Sequence, residues 1–201
     1  DSFMALLQLM ESAKNQKGDA LPARTVLLTT FDPKSGNIHE QNIRFTEATD
    51  QVKALGLDLD LMACPLPPNC PNTVYIDTIS KVLRDISSEY QIPKIGMQLV
   101  FGDLHLADIK KWREDMFSEY KCIFPIFNQQ YSELCSLLFG SSLLDYIEVS
   151  NVTVKSDFLT VGMTFDKSVY DKLTDSAADI DPFGELGEFH TKCVFKQTSA
   201  S

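Results

Sequence analysis

The run Thr25-Val26-Leu27-Leu28-Thr29-Thr30-Phe31 is short, β-branched and almost continuously apolar. A strand with one wet face alternates apolar and polar residues, so this run predicts a strand covered on both faces, as in a parallel sheet. Upstream, Ser2 to Glu11 carries apolar residues at helical spacing, with Ser2 placed to cap the first turn, and Asn15 to Asp19 reads as a loop. Downstream the pattern repeats. Asp32 to Gly36 is a turn, Glu40 to Leu55 a helix stopped by Gly56, and Leu57 to Ala63 a second strand. Pro65, Pro67, Pro68 and Pro71 fix a loop, Thr73 to Tyr90 is an amphipathic helix, and Ile95 to Phe101 is a third strand ending at Gly102-Asp103. Helices alternating with strands predict an α/β fold with a parallel sheet.

The second half continues with helices over about Leu106–Tyr120 and Gln130–Phe139, separated by the short apolar segment Cys122–Ile126. It then becomes strand-like: Asp145 to Val154 alternates around Ile147, Val149, Val152 and Val154, and His190 to Phe195 forms a late strand beside it. The change in character near residue 125 predicts a division into an α/β part, 1–125, and a smaller C-terminal α+β part, 126–201.

The chain has 201 residues, 28 acidic against 18 basic, for a formal net charge of -10. That balance repels polyanions and argues against general nucleic-acid binding. No apolar run approaches the ~18 residues of a membrane-spanning helix. The five cysteines are scattered, without C-x-x-C pairs or zinc-finger spacing, which fits free thiols and a cytoplasmic location.

In an open parallel sheet ligands bind beyond the carboxyl ends of the strands. That selects Thr29, Thr30, Asp32, Cys64 and Gly102-Asp103-Leu104-His105. Gly102 lets a ligand approach the backbone, and Asp103 has the chemistry to orient Mg²⁺ through water or to accept a hydrogen bond; the same dipeptide also reads as a turn and helix cap. The densest polar cluster is Asp181-Pro182-Phe183-Gly184-Glu185-Leu186-Gly187-Glu188-Phe189-His190-Thr191. Its glycines permit turns that bring Glu185, Glu188 and His190 into one cleft for acid–base work or metal binding, or simply form a hairpin with solvated carboxylates. His39 and Arg44 fall at the predicted start of a helix, where an anion is favoured.

Four segments, in order along nearly the whole chain, resemble the motifs of one family. They are Asp1-Ser2 leading into a helix, Val100-Phe101-Gly102-Asp103-Leu104 with Trp112-Arg113-Glu114, Phe124-Pro125-Ile126-Phe127, and Asp181 to Thr191. The chain is similar to the diphthine-ammonia ligases of the ATP-pyrophosphatase (adenine nucleotide alpha hydrolase-like) superfamily. The resemblance implies a three-layer parallel-sheet domain with a C-terminal substrate part. Asp1-Ser2 matches the end of the S-G-G-K-D-S phosphate loop. The loop's earlier residues and the strand before them are not in the sequence, which implies weak ATP binding by the chain as written.

The activity implied is adenylation of a carboxylate by ATP, followed by attack of ammonia to give an amide, AMP and pyrophosphate, with Mg²⁺ as cofactor. The family's acceptor is diphthine on elongation factor 2; a small carboxylic acid in the same chemistry, or a nucleotide-binding module without catalysis, are the alternatives. Carried over, the resemblance places Asp1, Ser2 and Gly102 at the nucleotide, Asp103 at Mg²⁺ or substrate, and Glu185, Glu188 and His190 at the acceptor and ammonia. Thr29 and Thr30 lie beside the adenosine by analogy of fold, and His39, Arg44 and Thr191 are candidate substrate contacts. Phe183, Leu186 and Phe127 stand where many relatives have Cys, Asn and Trp, and the usual D-G-P-x-F after the His-Thr pair is missing.

Overall fold

Residues 1–15, 24–175 and 179–196 are described by a computed structural model. The predicted loop over Gln16–Asp19 lies outside them. Helix α1 (Ser2–Asn15) buries Met4, Ala5, Leu6 and Leu7, and is followed by β1 (Thr25–Phe31), α2 (Phe45–Ala54) and β2 (Leu59–Pro65). Then come α3 (Asn72–Glu89), β3 (Gln98–Val100), α4 (Ala107–Met116) and β4 (Lys121–Ile123). The chain ends in α5 (Tyr131–Phe139), β5 (Leu144–Val152), α6 (Lys167–Asp175) and β6 (Phe189–Phe195).

β1 and β2 pair in parallel from Thr25 opposite Leu59 to Phe31 opposite Pro65, with α2 as the crossover. β3 and β4 pair in parallel with α4 as theirs, and β5 and β6 pair antiparallel. A parallel pair requires such a crossover, because a tight turn cannot return the chain to the same end of the sheet. The fold is therefore mixed α/β with small parallel sheets, as the alternation predicts. Among the described residues the two parallel pairs do not hydrogen-bond to each other.

α3 holds these pairs together. Its buried Ile79, Val82, Leu83 and Ile86 pack with Cys64 of β2 and Phe117 after α4, and partly buried Val26, Met62, Leu99 and Phe101 join from both pairs. The larger core gathers α1, α5, α6, β5 and β6 around Met4, Leu134, Ile147, Phe165 and Phe189. It draws residues from both sides of position 125; the strand pairs before that position are parallel and the pair after it is antiparallel.

Several elements differ from expectation. α2 begins at Phe45, not Glu40, because Ile38 and Ile43 are both buried and face each other in a small loop closed by the Ile38 N–H donating to the Ile43 carbonyl at 2.8 Å. Asn42 within it has φ 53°, a conformation asparagine tolerates better than most residues. β3 is only three residues long because Pro93 starts a 3-10 turn over Lys94–Gly96, which leaves Ile95 94% exposed. α6 was not foreseen, although Val169, Tyr170 and Leu173 form its buried face and Asp166 accepts the Val169 N–H at 3.0 Å as a cap.

If α3 is the common support of both parallel pairs, Leu83→Ala should lower the unfolding free energy by about 2–5 kcal/mol. Urea denaturation should show one cooperative transition at a lower midpoint.

Candidate functional site

The end of β3 runs directly against the start of α1. A Cβ on Gly102 would lie 2.9 Å from the Asp1 carbonyl carbon and 3.1 Å from the Ser2 nitrogen, so only glycine allows this approach. The first helical bond of α1 is donated by the Ala5 N–H to the Asp1 carbonyl at 2.9 Å. The N–H groups of Ser2, Phe3 and Met4 precede it, and with the helix dipole they favour an anion at this end.

Asp103 points to α4. It accepts from Arg113 through both oxygens, Nε at 2.8 Å and Nη2 at 3.1 Å, while the guanidinium carbon lies 4.7 Å from the Phe101 ring centroid. This forked pair joins the stretch Val100–Leu104 to Trp112–Glu114, and its geometry is one that lysine cannot reproduce.

Glu185 ties the 181–188 loop to the same place. Its Oε1 accepts the Leu104 N–H at 2.9 Å. Burial pushes its carboxyl pKa up, and the backbone N–H groups of Leu104 and His105 offset part of that shift.

Glu188 faces inward. It is 6% exposed and accepts the Asp181 N–H at 2.7 Å and the Leu186 N–H at 3.0 Å, one on each oxygen. In this arrangement it brackets its own loop. Gly184 has φ 72°, and a Cβ there would meet the Phe189 carbonyl oxygen at 2.6 Å, so the turn requires glycine. Asp181 accepts the Phe183 N–H at 2.8 Å and the Tyr131 hydroxyl at 2.6 Å, and Tyr131 also bonds His105 Nδ1 at 3.0 Å. Burial and the bond to Asp181 push the Tyr131 phenol pKa up, which keeps it neutral.

The remaining candidates lie elsewhere. Thr29 and Thr30 sit within β1 opposite Ala63 and Cys64. Thr191 and Asp1 line one small cavity of about 30 Å³ together with Phe183 and Phe189, room for a single water. His39 is in the loop before α2, not at its first turn, and its Nε2 bonds the Leu66 carbonyl at 2.8 Å. Arg44 is the exposed N-cap of α2, with Glu47 accepting its backbone N–H at 3.2 Å. His190 lies opposite Asn151, whose Nδ2 donates to the Glu40 carbonyl at 2.8 Å. Burial lowers the His190 pKa and the Glu40 charge opposes that shift.

The structure thus gathers Asp1, Ser2, Gly102, Asp103 and Glu185 about the end of β3, while His39, Arg44 and His190 belong to the β1–α2 side. Tyr131 was missed as a site residue, Asp181 was named only within its cluster, and His105 was marked as a residue beyond β3 without a role. Their contacts span 26 and 50 positions, a separation at which local patterns carry no signal.

Among the described residues no group of three or more His, Cys, Asp or Glu side chains is arranged to hold a metal ion. Mg²⁺ at a nucleotide needs only one or two carboxylates besides phosphate oxygens. Asp103, the expected one, accepts one bond from Arg113 on each oxygen. All five cysteines are free, and no described helix is long and apolar enough to cross a membrane.

No family model and no curated protein matches the chain.

Replacing Glu188 by Gln puts an amide N–H₂ where a carboxylate oxygen now receives a backbone donor. A loss of about 1.5–3 kcal/mol is expected in urea unfolding, the range for a hydrogen bond to a charged group. For His190, whose folded pKa lies below its ordinary 6.5, the unfolded chain binds more protons between the two values. Stability should therefore rise with pH through that window, be complete above it, and fall on acidification. Thermal unfolding of His190→Gln across the same pH range should show a flatter profile.

Proposed function

We propose that the chain acts as an ATP-dependent amide ligase of the ATP-pyrophosphatase type on diphthine of elongation factor 2. The observation that carries this reading is the contact of the α1 N-terminus with Gly102 at the carboxyl end of β3, beside Asp103 and the Glu185 loop. A helix N-terminus at a strand end suits phosphates, and three of the four segments that carry the resemblance meet there.

The three-layer parallel-sheet arrangement of that superfamily is part of this proposal; among the described residues β1·β2 and β3·β4 both pack on α3 without hydrogen-bonding to each other.

In this reading the first-turn N–H groups of α1 hold the leaving phosphates. The acceptor carboxylate attacks the α-phosphorus and pyrophosphate departs, giving an acyl-adenylate. Ammonia then attacks the acyl carbon and AMP departs. Adenylation is needed because an ionised carboxylate has no adequate leaving group. The loop braced by Glu188 and tied by Glu185 forms the acceptor side.

The test is release of pyrophosphate and AMP from ATP by the full-length protein, with and without ammonium and diphthine-bearing elongation factor 2. Release that depends on the factor is expected. Gly102→Ala, which drives a methyl group into the Asp1–Ser2 backbone, should reduce it by about tenfold or more, equivalent to roughly 1.4 kcal/mol of barrier. Release only with a small carboxylic acid would replace the acceptor, and no release with any acceptor would overturn the ligase reading.

A further inference from the structure

The hydrogen-bond chain that links Asp181, Tyr131 and His105 fixes more than a loop. A phenol carries one hydrogen, and an ionised carboxylate can only accept. At 2.6 Å from Asp181 Oδ2, the Tyr131 hydrogen is directed to Asp181. The bond to His105 Nδ1 at 3.0 Å must then be supplied by the imidazole, with Tyr131 Oη accepting. His105 is held as the Nδ1–H tautomer, and its Nε2 carries a free lone pair.

The anchor of this chain is firm. Tyr131 is the first residue of α5 and sits edge-on to Phe183, ring centroids 5.1 Å apart. Asp181 is fixed by its own loop through the Phe183 N–H. On the other side, the backbone N–H groups of Leu104 and His105 bind the Glu185 carboxylate. The imidazole is thus oriented from its backbone and from its ring, yet the residue is exposed. It stands three positions beyond Gly102, the residue in contact with the start of α1.

We propose that His105 Nε2 is the acceptor that seats ammonia and receives its surplus proton in the amide-forming step, with Tyr131 and Asp181 as positioning residues. This rests on the ligase reading. Ammonia attacks through its only lone pair, so its orientation has to come from acceptors of its N–H groups. Nε2 of the fixed tautomer is such an acceptor, whereas an Nε2–H tautomer would present a hydrogen. The nitrogen lone pair forms the new C–N bond at the acyl carbon. The acyl C–O bond to AMP breaks, its electron pair leaving with AMP, and one N–H proton passes to Nε2 and then to solvent.

Two measurements test the proposal separately. The first needs no substrate: long-range ¹H–¹⁵N correlation spectra of the labelled chain at about pH 8, above the ordinary imidazole range. Nδ1 of His105, assigned by the loss of its signals in His105→Phe, should appear protonated and Nε2 unprotonated. Tyr131→Phe should convert it to a tautomer mixture, and Asp181→Asn serves if that variant does not fold. An Nε2–H tautomer in the unmodified chain overturns the proposal.

The second uses the full-length protein and its acceptor. His105→Phe should raise the KM for ammonium about tenfold or more, and Tyr131→Phe should raise it by less. An unchanged ammonium KM overturns the role in ammonia seating even where the tautomer is as expected. Absence of pyrophosphate release from the unmodified protein with any acceptor removes the ligase reading and the ammonia role with it, while the tautomer result still reports whether the orientation is real.

Discussion

The hydrogen bond from the Leu104 N–H to Glu185 joins residues 81 positions apart and sets the relation between the two halves of the molecule at the site. Before it, β3 is a three-residue strand that ends in non-repetitive backbone; after it, the 181–188 loop has a fixed neighbour. Burying a carboxylate is unfavourable unless donors compensate, and here the backbone N–H groups of Leu104 and His105 supply that compensation. Burial still prevails, since the net pKa shift of Glu185 is upward. A hydrogen bond to a charged group contributes about 1.5–3 kcal/mol, while a partner left buried without its donor would cost a comparable amount. The contact is therefore strongly specified although no secondary structure connects its ends.

A second constraint works at shorter range. Asp103 and Arg113 are paired through two bonds across the turn between β3 and α4, and Phe101 lies under the guanidinium. The side chains are 11% and 24% exposed, so solvent screens this pair less than it screens the i,i+4 pairs on the helix surfaces. The spacing of Gly102-Asp103 from Trp112-Arg113 in sequence is thus a statement about geometry. One helix crosses back over the strand end, and its arginine closes on the aspartate just beyond that strand. The same closure leaves the Gly102 backbone facing α1 on one side while the Asp103 side chain faces α4 on the other.

How far sequence carries can be seen residue by residue. β1 was legible to its ends, because seven consecutive β-branched or apolar residues have no competing pattern. α3 and α5 were legible within a residue or so, through periodicity alone. The apolar run at Ile95 misled because proline at position 93 decides the backbone there before hydrophobicity can act. At the site, Gly102, Asp103 and Glu185 were visible as unusual residues at strand ends and between glycines. Glu188 was visible in the same way, but its direction was not: nothing local distinguishes a carboxylate that turns outward from one that satisfies two N–H groups of its own loop. Tyr131 was invisible, since a tyrosine opening an amphipathic helix is ordinary until its partner 50 positions away is known.

A net charge of -10 bears on the proposed phosphate contact at the end of β3, where Asp103, Asp181, Glu185 and Glu188 all lie in the surrounding segments. Each of these carboxylates is already matched. Asp103 has the Arg113 guanidinium, Asp181 the Tyr131 hydroxyl and the Phe183 N–H, Glu185 the Leu104 N–H, and Glu188 the N–H groups of Asp181 and Leu186. Their oxygens are held towards those donors by geometry. The first-turn N–H groups of α1 lie outside these pairings. Long-range charge governs how quickly an anion is gathered from solution, falling off within about 8–10 Å at ordinary salt. Retention is governed by the few donors within contact distance. In the proposed reading, an anionic ligand is held at one helix end of an acidic domain where Asp103, Asp181, Glu185 and Glu188 are paired.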